Sequence, residues 1–345
     1  MNDVLAVSPR SVGLREPDAA PRNPHGHVPV RRPGSVRRTS SIDIIWPQDA
    51  PGTVMRVDGR ARDLITPHSG EPSVAAEDVL SADIEPDRTI SRIESLPSRP
   101  GIEGLVGARG GGHLREALNS VLPAEKSAGS PLYLLIDDLA GSSLVAMWGW
   151  SQWVDLWEDG KLRAVEGKDW SRPVMEGVCI GFRPGASSLN DDGTPRISLN
   201  ATPVVDLPLP GDPYSWHALP DNRGVAFRRA RHIDVWRDDL LRVEAGFQDS
   251  ANHPDGGRVA IHEYRLTASV DPNTFELLSV AASPGTLPYS SCPAATLNID
   301  RLAGTPIGEL RTAVLEQLAR TAGCTHLNDA LRALAEVPVL AGLLK

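Results

Sequence analysis

Cysteine is scarce in this 345-residue chain: Cys179, Cys292 and Cys324 are odd in number and far apart, which excludes a disulfide framework. Long apolar runs are also missing. The longest, such as Leu132 to Ile136, have the length of a strand, so no membrane span is expected. The first residues carry no apolar leader core, so no secretory signal is expected and the protein is placed in the cytoplasm. A basic excess is lacking too. The formal net charge of −9 argues against a general nucleic-acid binder, which needs a basic stripe to neutralise phosphates.

Nucleotide signatures are absent in the same way. Glycines cluster at Gly101, Gly104, Gly107, Gly110, Gly111 and Gly112, but His113-Leu114-Arg115 follows where a phosphate loop needs Lys and Ser or Thr. The spacing Gly107-x-x-Gly110 is not a dinucleotide fingerprint, so no cofactor is expected. A helix is predicted from Gly112 to Leu122, with Leu114, Leu118 and Leu122 on one stripe and Pro123 as its stop.

What is present is a repeat. Arg37-Arg38-Thr39-Ser40-Ser41-Ile42-Asp43-Ile44 returns 191 positions later as Arg228-Arg229-Ala230-Arg231-His232-Ile233-Asp234-Val235. A second block follows each copy, Arg56-Val57-Asp58 with Asp63 and Arg242-Val243-Glu244 with Asp249, after a loop five residues longer in the first copy. Two matches in the same order predict an α+β protein of two related halves, each an antiparallel sheet with helices packed on one face. A cleft between the halves is then a natural small-molecule site. The boundaries read as a flexible Arg/Pro-rich arm over 1–35, a first half with insertions over 36–200 and a second half over 201–345. The arm is Arg-rich: residues 1–40 together hold seven Arg and three acids. It is either a solvated extension or a strap across the other half or another subunit. Trp46 and Trp236 fall one position out of register, which in a strand sends them to opposite faces.

Strands are predicted from Val36 to Trp46 and from Met55 to Leu64, and the acidic stretch Thr66 to Ser91 reads as a surface loop or short helix. Pro131 to Trp148 reads as a hairpin around Asp138-Leu139-Ala140-Gly141, the counterpart of a second hairpin from Tyr264 to Ala281 that bends at Asp271-Pro272-Asn273. Trp148, Trp150, Trp153 and Trp157 crowd together, either as core or, with Trp150 and Trp236, as walls of an aromatic pocket. Two helices close the chain, from about Pro306 to Ala322 and from Thr325 to Pro338.

Three groups carry a family resemblance: Ile261-His262-Glu263-Tyr264-Arg265-Leu266 leading into Val270-Asp271; Pro288-Tyr289-Ser290-Ser291-Cys292; and Gly323-Cys324-Thr325-His326-Leu327. With Arg229, Asp234 and Asp249 they resemble the bacterial DUF2889 family over roughly residues 226–337. The family pattern often has Asp-Met after the His, where this chain has Glu263-Tyr264. The resemblance implies a catabolic role toward aromatic compounds, including cofactor-independent loss of formaldehyde from lignin-derived aromatic dimers.

The residues themselves supply acid–base chemistry. His262, Glu263 and Tyr289 are the catalytic candidates, and Arg229, Arg38, Asp234, Trp236 and Trp150 the substrate-binding ones. A strand puts His262 and Glu263 on opposite faces, so only one can enter a given pocket. A metal held by Cys324 and His326 with Cys292 or His262 is the weaker arrangement, because a lone C-x-H is not a standard zinc spacing. Two functions stand side by side. One is a cofactor-independent lyase of retro-aldol, deformylating type acting on hydroxylated aromatic small molecules. The other is a non-catalytic module that binds a small molecule or a partner enzyme. An aromatic substrate, and as an option a second copy in a homodimer, are the expected partners; nucleic acid and membrane are not.

Overall fold

The structure, a computed structural model, describes residues 19–153, 174–196, 198 and 200–344. Trp157 and the first part of the arm lie outside the described residues. The centre is one antiparallel sheet. Its strands are β1 (Ser35–Ile45), β2 (Met55–Thr66), β3 (Ser73–Ile84), β4 (Ile90–Leu96), β5 (Thr202–Val204), β6 (Ala226–Arg237), β7 (Leu241–Asn252), β8 (Arg258–Val270) and β9 (Leu277–Pro284). The order is β4-β3-β2-β1-β6-β7-β8, and β5 and β9 share the outer edge of β8.

The two meanders meet edge to edge. All 11 residues of β1 pair with β6, from Ser35 opposite Trp236 to Ile45 opposite Ala226, so the cleft expected between two halves does not form at this seam. The same irregularities recur on both sides. A bulge follows Asp63 where β2 meets β3 and another follows Asp249 where β7 meets β8. A further pair follows Asp83 in β3 and Ser269 in β8.

Strand alternation sorts β1 and β6 into two faces. Arg38, Ile42 and Ile44, with Arg229, Ile233 and Val235, face a layer of helices. That layer holds α1 (Gly112–Val121), α2 (Pro123–Ala128), α3 (Pro131–Val145), α4 (Leu310–Gln317), α5 (Thr325–Ala333) and α6 (Val337–Ala341). Arg37, Thr39, Ser41 and Asp43 face the other way, under residues 19–34 and the segment from 202 to 225. There Val28, Trp216 and Ala230 form a small core, and His217 bridges the Thr39 and Ser41 hydroxyls at 2.8 Å each.

Two local expectations are corrected. Pro131 to Val145 is a helix, α3, not a hairpin: Ser130 caps it by accepting the Tyr133 N–H, and Pro131 occupies its first turn. It is buried on nearly every side, so no polar face marks a helical period. Gly141 is not a turn residue either; a Cβ there would run into the Arg229 guanidinium and the Asp329 carboxylate. Likewise Thr66 to Ser91 contains strand β3 and the start of β4, with Asp78, Leu80, Ala82 and Ile84 buried in alternation while Glu77 and Asp83 lie at the outward positions. The helical stretch Pro131–Trp153, α3 and the 3-10 turn that continues it, is long and apolar enough to cross a membrane, but 72% of its 18-residue apolar window is buried inside the protein.

The slip of the two tryptophans has the predicted consequence. Trp46 sits in the helix-side core, edge-on to Trp150 at 5.5 Å, while Trp236 lies on the opposite face beneath the Arg32 guanidinium.

Candidate functional site

The bulge after Asp249 builds the site. It leaves Asp249 directly opposite His262, whereas the next pair along is Ser250 with Ala260, so Ile261 drops out of the ladder. Asp249 and His262 both face the helix layer, and α5 brings His326 onto them from above. The imidazoles of His262 and His326 stack at 3.4 Å with 16° between their planes. Asp249 Oδ2 lies 3.4 Å from His262 Nδ1 and 3.8 Å from His326 Nε2. Nδ1 of His262 is buried without a hydrogen bond of full geometry, and this carboxylate oxygen is its nearest charged neighbour. His326 keeps 15% of its side-chain surface exposed and gives the cluster its contact with solvent.

Arg229 orients the carboxylate. Its Nε and Nη2 donate to the two Asp249 oxygens at 2.8 and 2.9 Å, and its Nη1 donates to Asp329 at 3.0 Å. Phe247 supports the guanidinium from one side, and Asp138, held bidentately by Arg231, stands 3.9 Å away. Burial opposes the charge on Asp249, but the Arg229 cation, the close His262 imidazole and the hydrogen bonds from Arg229 outweigh it and hold the acid below the ordinary carboxylate range. Burial lowers the pKa of His262, against a smaller pull upward from Asp249. Burial, and then the neighbouring His262, push His326 well below the usual histidine value. The site at neutral pH is therefore a fixed anion beside two neutral imidazoles. An Asp-oriented imidazole of this kind can accept a proton through one nitrogen while the carboxylate stabilises the resulting cation.

The ligand atoms of Asp249, His262 and His326 lie within 4.8 Å of one another, a spread that one metal ion could span. The charge balance does not favour a dication there, because the single carboxylate of the set is already neutralised by the guanidinium on both of its oxygens. Cys324 is buried beside the cluster, its Sγ 3.6 Å from the Tyr264 hydroxyl and 3.9 Å from His326 Nδ1.

The other candidate residues are distributed elsewhere. Glu263 faces the opposite side of the sheet, where it accepts from Gln248 Nε2 at 3.1 Å and the His25 N–H at 2.9 Å. Tyr289 donates its hydroxyl to the Arg196 carbonyl at 2.6 Å and packs against Phe182. Arg38 is fully buried between Asp63, Glu336 and the Gly129 carbonyl, and Asp234 accepts both arms of Arg37. Trp150 is core, and Trp236 is on the far face. Of the residues picked out by sequence, His262 and Arg229 meet at the site. Asp249 and His326 complete it. Both belong to motifs already visible in the chain, Asp249 to the second repeat block and His326 to the Cys324-Thr325-His326 group, but nothing in the spacing shows that α5 folds back over β8.

Residues 227–340 match the family model DUF2889, described as a protein of unknown function. The match covers the second meander and the C-terminal helices, and so includes Asp249, His262 and His326. No curated protein and no solved structure matches the chain.

Proposed function

We propose that the protein is a cofactor-independent lyase of retro-aldol, deformylating type, with His262 as its base and Asp249 and Arg229 as the groups that position it. The observation that carries this reading is the cluster itself: a buried imidazole nitrogen 3.4 Å from an ionised carboxylate, with a second neutral imidazole stacked on it toward solvent. In a retro-aldol step the base takes the proton of a substrate hydroxyl, and the C–O bond becomes the carbonyl of the leaving aldehyde. The electron pair of the broken C–C bond stays on the other carbon, which then takes a proton back. Electrons and atoms balance without a redox partner. The hydroxylated, lignin-derived aromatic substrate class rests on the family resemblance alone. Three free, buried cysteines fit the proposed cytoplasmic location.

The test is incubation of purified protein with a panel of hydroxylated aromatic dimers, without added cofactor, and assay of released formaldehyde. Turnover that falls about 10²–10⁴-fold in His262→Ala supports the assignment. No aldehyde from any member of the panel would leave the non-catalytic binding module, the second reading, which a cavity on the opposite face of the sheet favours.

The proposal extends to origin. Strands β1–β4 and β6–β9 are read as two copies of one unit, supported by the matching ion pairs and the matching bulges after Asp63 and Asp249. The site then belongs to one copy only, because Asp63 faces Ala76 where Asp249 faces His262. An experimental structure in which residues 35–96 and 226–284 fail to superpose would remove this reading.

A further inference from the structure

The face of the sheet away from the helices holds a cavity of about 720 Å³ between β6–β8 and the segment from 205 to 224. That volume lies within the range of small-molecule sites, roughly 300–1,000 Å³. Its walls are mixed. Leu207, Leu209, Leu219 and Trp153 supply apolar surface, and Arg258 and Arg228 supply cations. Arg228 is already spent: it holds Asp43 at 2.8 Å and the Pro220 carbonyl at 3.0 Å.

Arg258 is different. Its Nε donates to Ser250 Oγ at 3.1 Å and its Nη2 to the Ser250 carbonyl at 3.0 Å, and its Nη1 donates to Asn252 Oδ1. All three acceptors are uncharged, and no carboxylate among the described residues comes within ion-pair distance. Burial, then the nearby Arg228 charge, brings its pKa down to about 9, against a smaller upward pull from Asp43 and Asp206, so the cation is held with no carboxylate in direct contact. Arg38, Arg229 and Arg231 are buried and Arg311, like Arg258, is partly buried, and each of these four has its carboxylate. With five N–H donors and one used on each nitrogen, two remain, one on each Nη, the pair that a carboxylate can take bidentately. The acids that line the cavity, Asp206 and Asp221, are exposed.

We propose that this cavity binds a small organic carboxylate, with Arg258 taking the anionic end and the leucines and Trp153 enclosing an apolar frame. The proposal does not depend on the acid–base reading, since Arg228 and Gln248 of the cavity wall face away from the side of the sheet that carries His262. Benzoate is the probe, and benzamide, of the same shape without the charge, is its control. Calorimetric titration of the full chain is expected to show benzoate binding at least about tenfold tighter than benzamide. Arg258→Met is expected to bring benzoate to the benzamide level, and Leu209→Trp, which fills the apolar wall, to weaken both. His262→Ala is expected to leave benzoate binding unchanged. Equal binding of the two probes to the unaltered protein, or no benzoate heat at millimolar concentration, overturns the proposal whatever the variants do. So does a folded Arg258→Met protein that binds benzoate like the parent.

Discussion

Arg37 on β1 and Asp234 on β6 face each other across the central seam, joined by two hydrogen bonds of 2.6 Å. Farther along the same two strands the pair recurs with the strands exchanged: Arg228 on β6 holds Asp43 on β1. Both pairs are buried, so each charge depends on its partner. Removing one partner from a buried pair typically costs about 3–5 kcal/mol, whereas replacing both with apolar groups is often neutral. Arg228→Met alone should therefore destabilise the protein by about that amount, and Arg228→Met with Asp43→Leu should recover most of it. Denaturant unfolding of the two singles and the double measures the coupling; additive losses would contradict a self-contained pair.

Asp249→Asn should be costly for a related reason. The side chain has no exposed surface, and the change leaves Arg229 with Asp329 and the more distant Asp138 as its only acids. A loss of about 3–5 kcal/mol is expected. An unchanged melting transition would show that the Arg229–Asp249 contact contributes no more than a surface pair.

Acid should weaken the fold before Asp137 and Asp249 titrate. Burial lowers the pKa of His217, His232, His262 and His326 in the folded state below the ordinary value of 6.5. Below pH 6.5 the unfolded chain then binds protons that the folded chain refuses, so stability rises with pH across that window and falls as pH drops through it. Asp137 and Asp249, held low despite burial by Arg332, Arg311 and Arg229, add their own loss only further into acid. Melting temperature followed from pH 8 to pH 5 should decline already near pH 6, and His217→Gln should flatten that slope. A flat profile down to pH 5 would contradict the burial of these histidines.

The strands that carry the repeat were legible because their pattern survives burial: the Arg and Asp positions mark one ion-pair lattice, and the apolar residues alternate. Helix α3 was not legible, since Leu132, Leu135, Ile136 and Leu139 are all buried and the apolar run has no polar side to set a period. The start signal Ser130-Pro131 was present but local. His262 stood out as a polar residue in an apolar strand, yet its partner His326 lies 64 residues on, brought over by packing of α5 on β8. Arg38 and Arg229, repeated beside repeated carboxylates, are each held by an acid of the repeat, Asp63 and Asp249, while Asp234 accepts from Arg37.

The sharpest test of the site separates its two histidines. His262 adjoins both Asp249 and His326, and burial is the main force that lowers its pKa, while Asp249 pulls it upward. The His326 ring covers it at 3.4 Å, so His326→Ala exposes His262 to water and removes much of that burial while Asp249 remains. The pKa of His262 should rise in this variant, and the acid limb of the rate profile, which reports the base in its free form, should move to higher pH. His326→Ala should still turn over above that limb, whereas His262→Ala should lose about 10²–10⁴-fold at every pH. The measurement is kcat/KM against pH for both variants, using whichever aromatic dimer releases aldehyde. A limb that stays fixed or moves lower would place the base elsewhere. Equal losses in the two variants would mean that the stacked imidazoles act as one unit, not as a base and its cover.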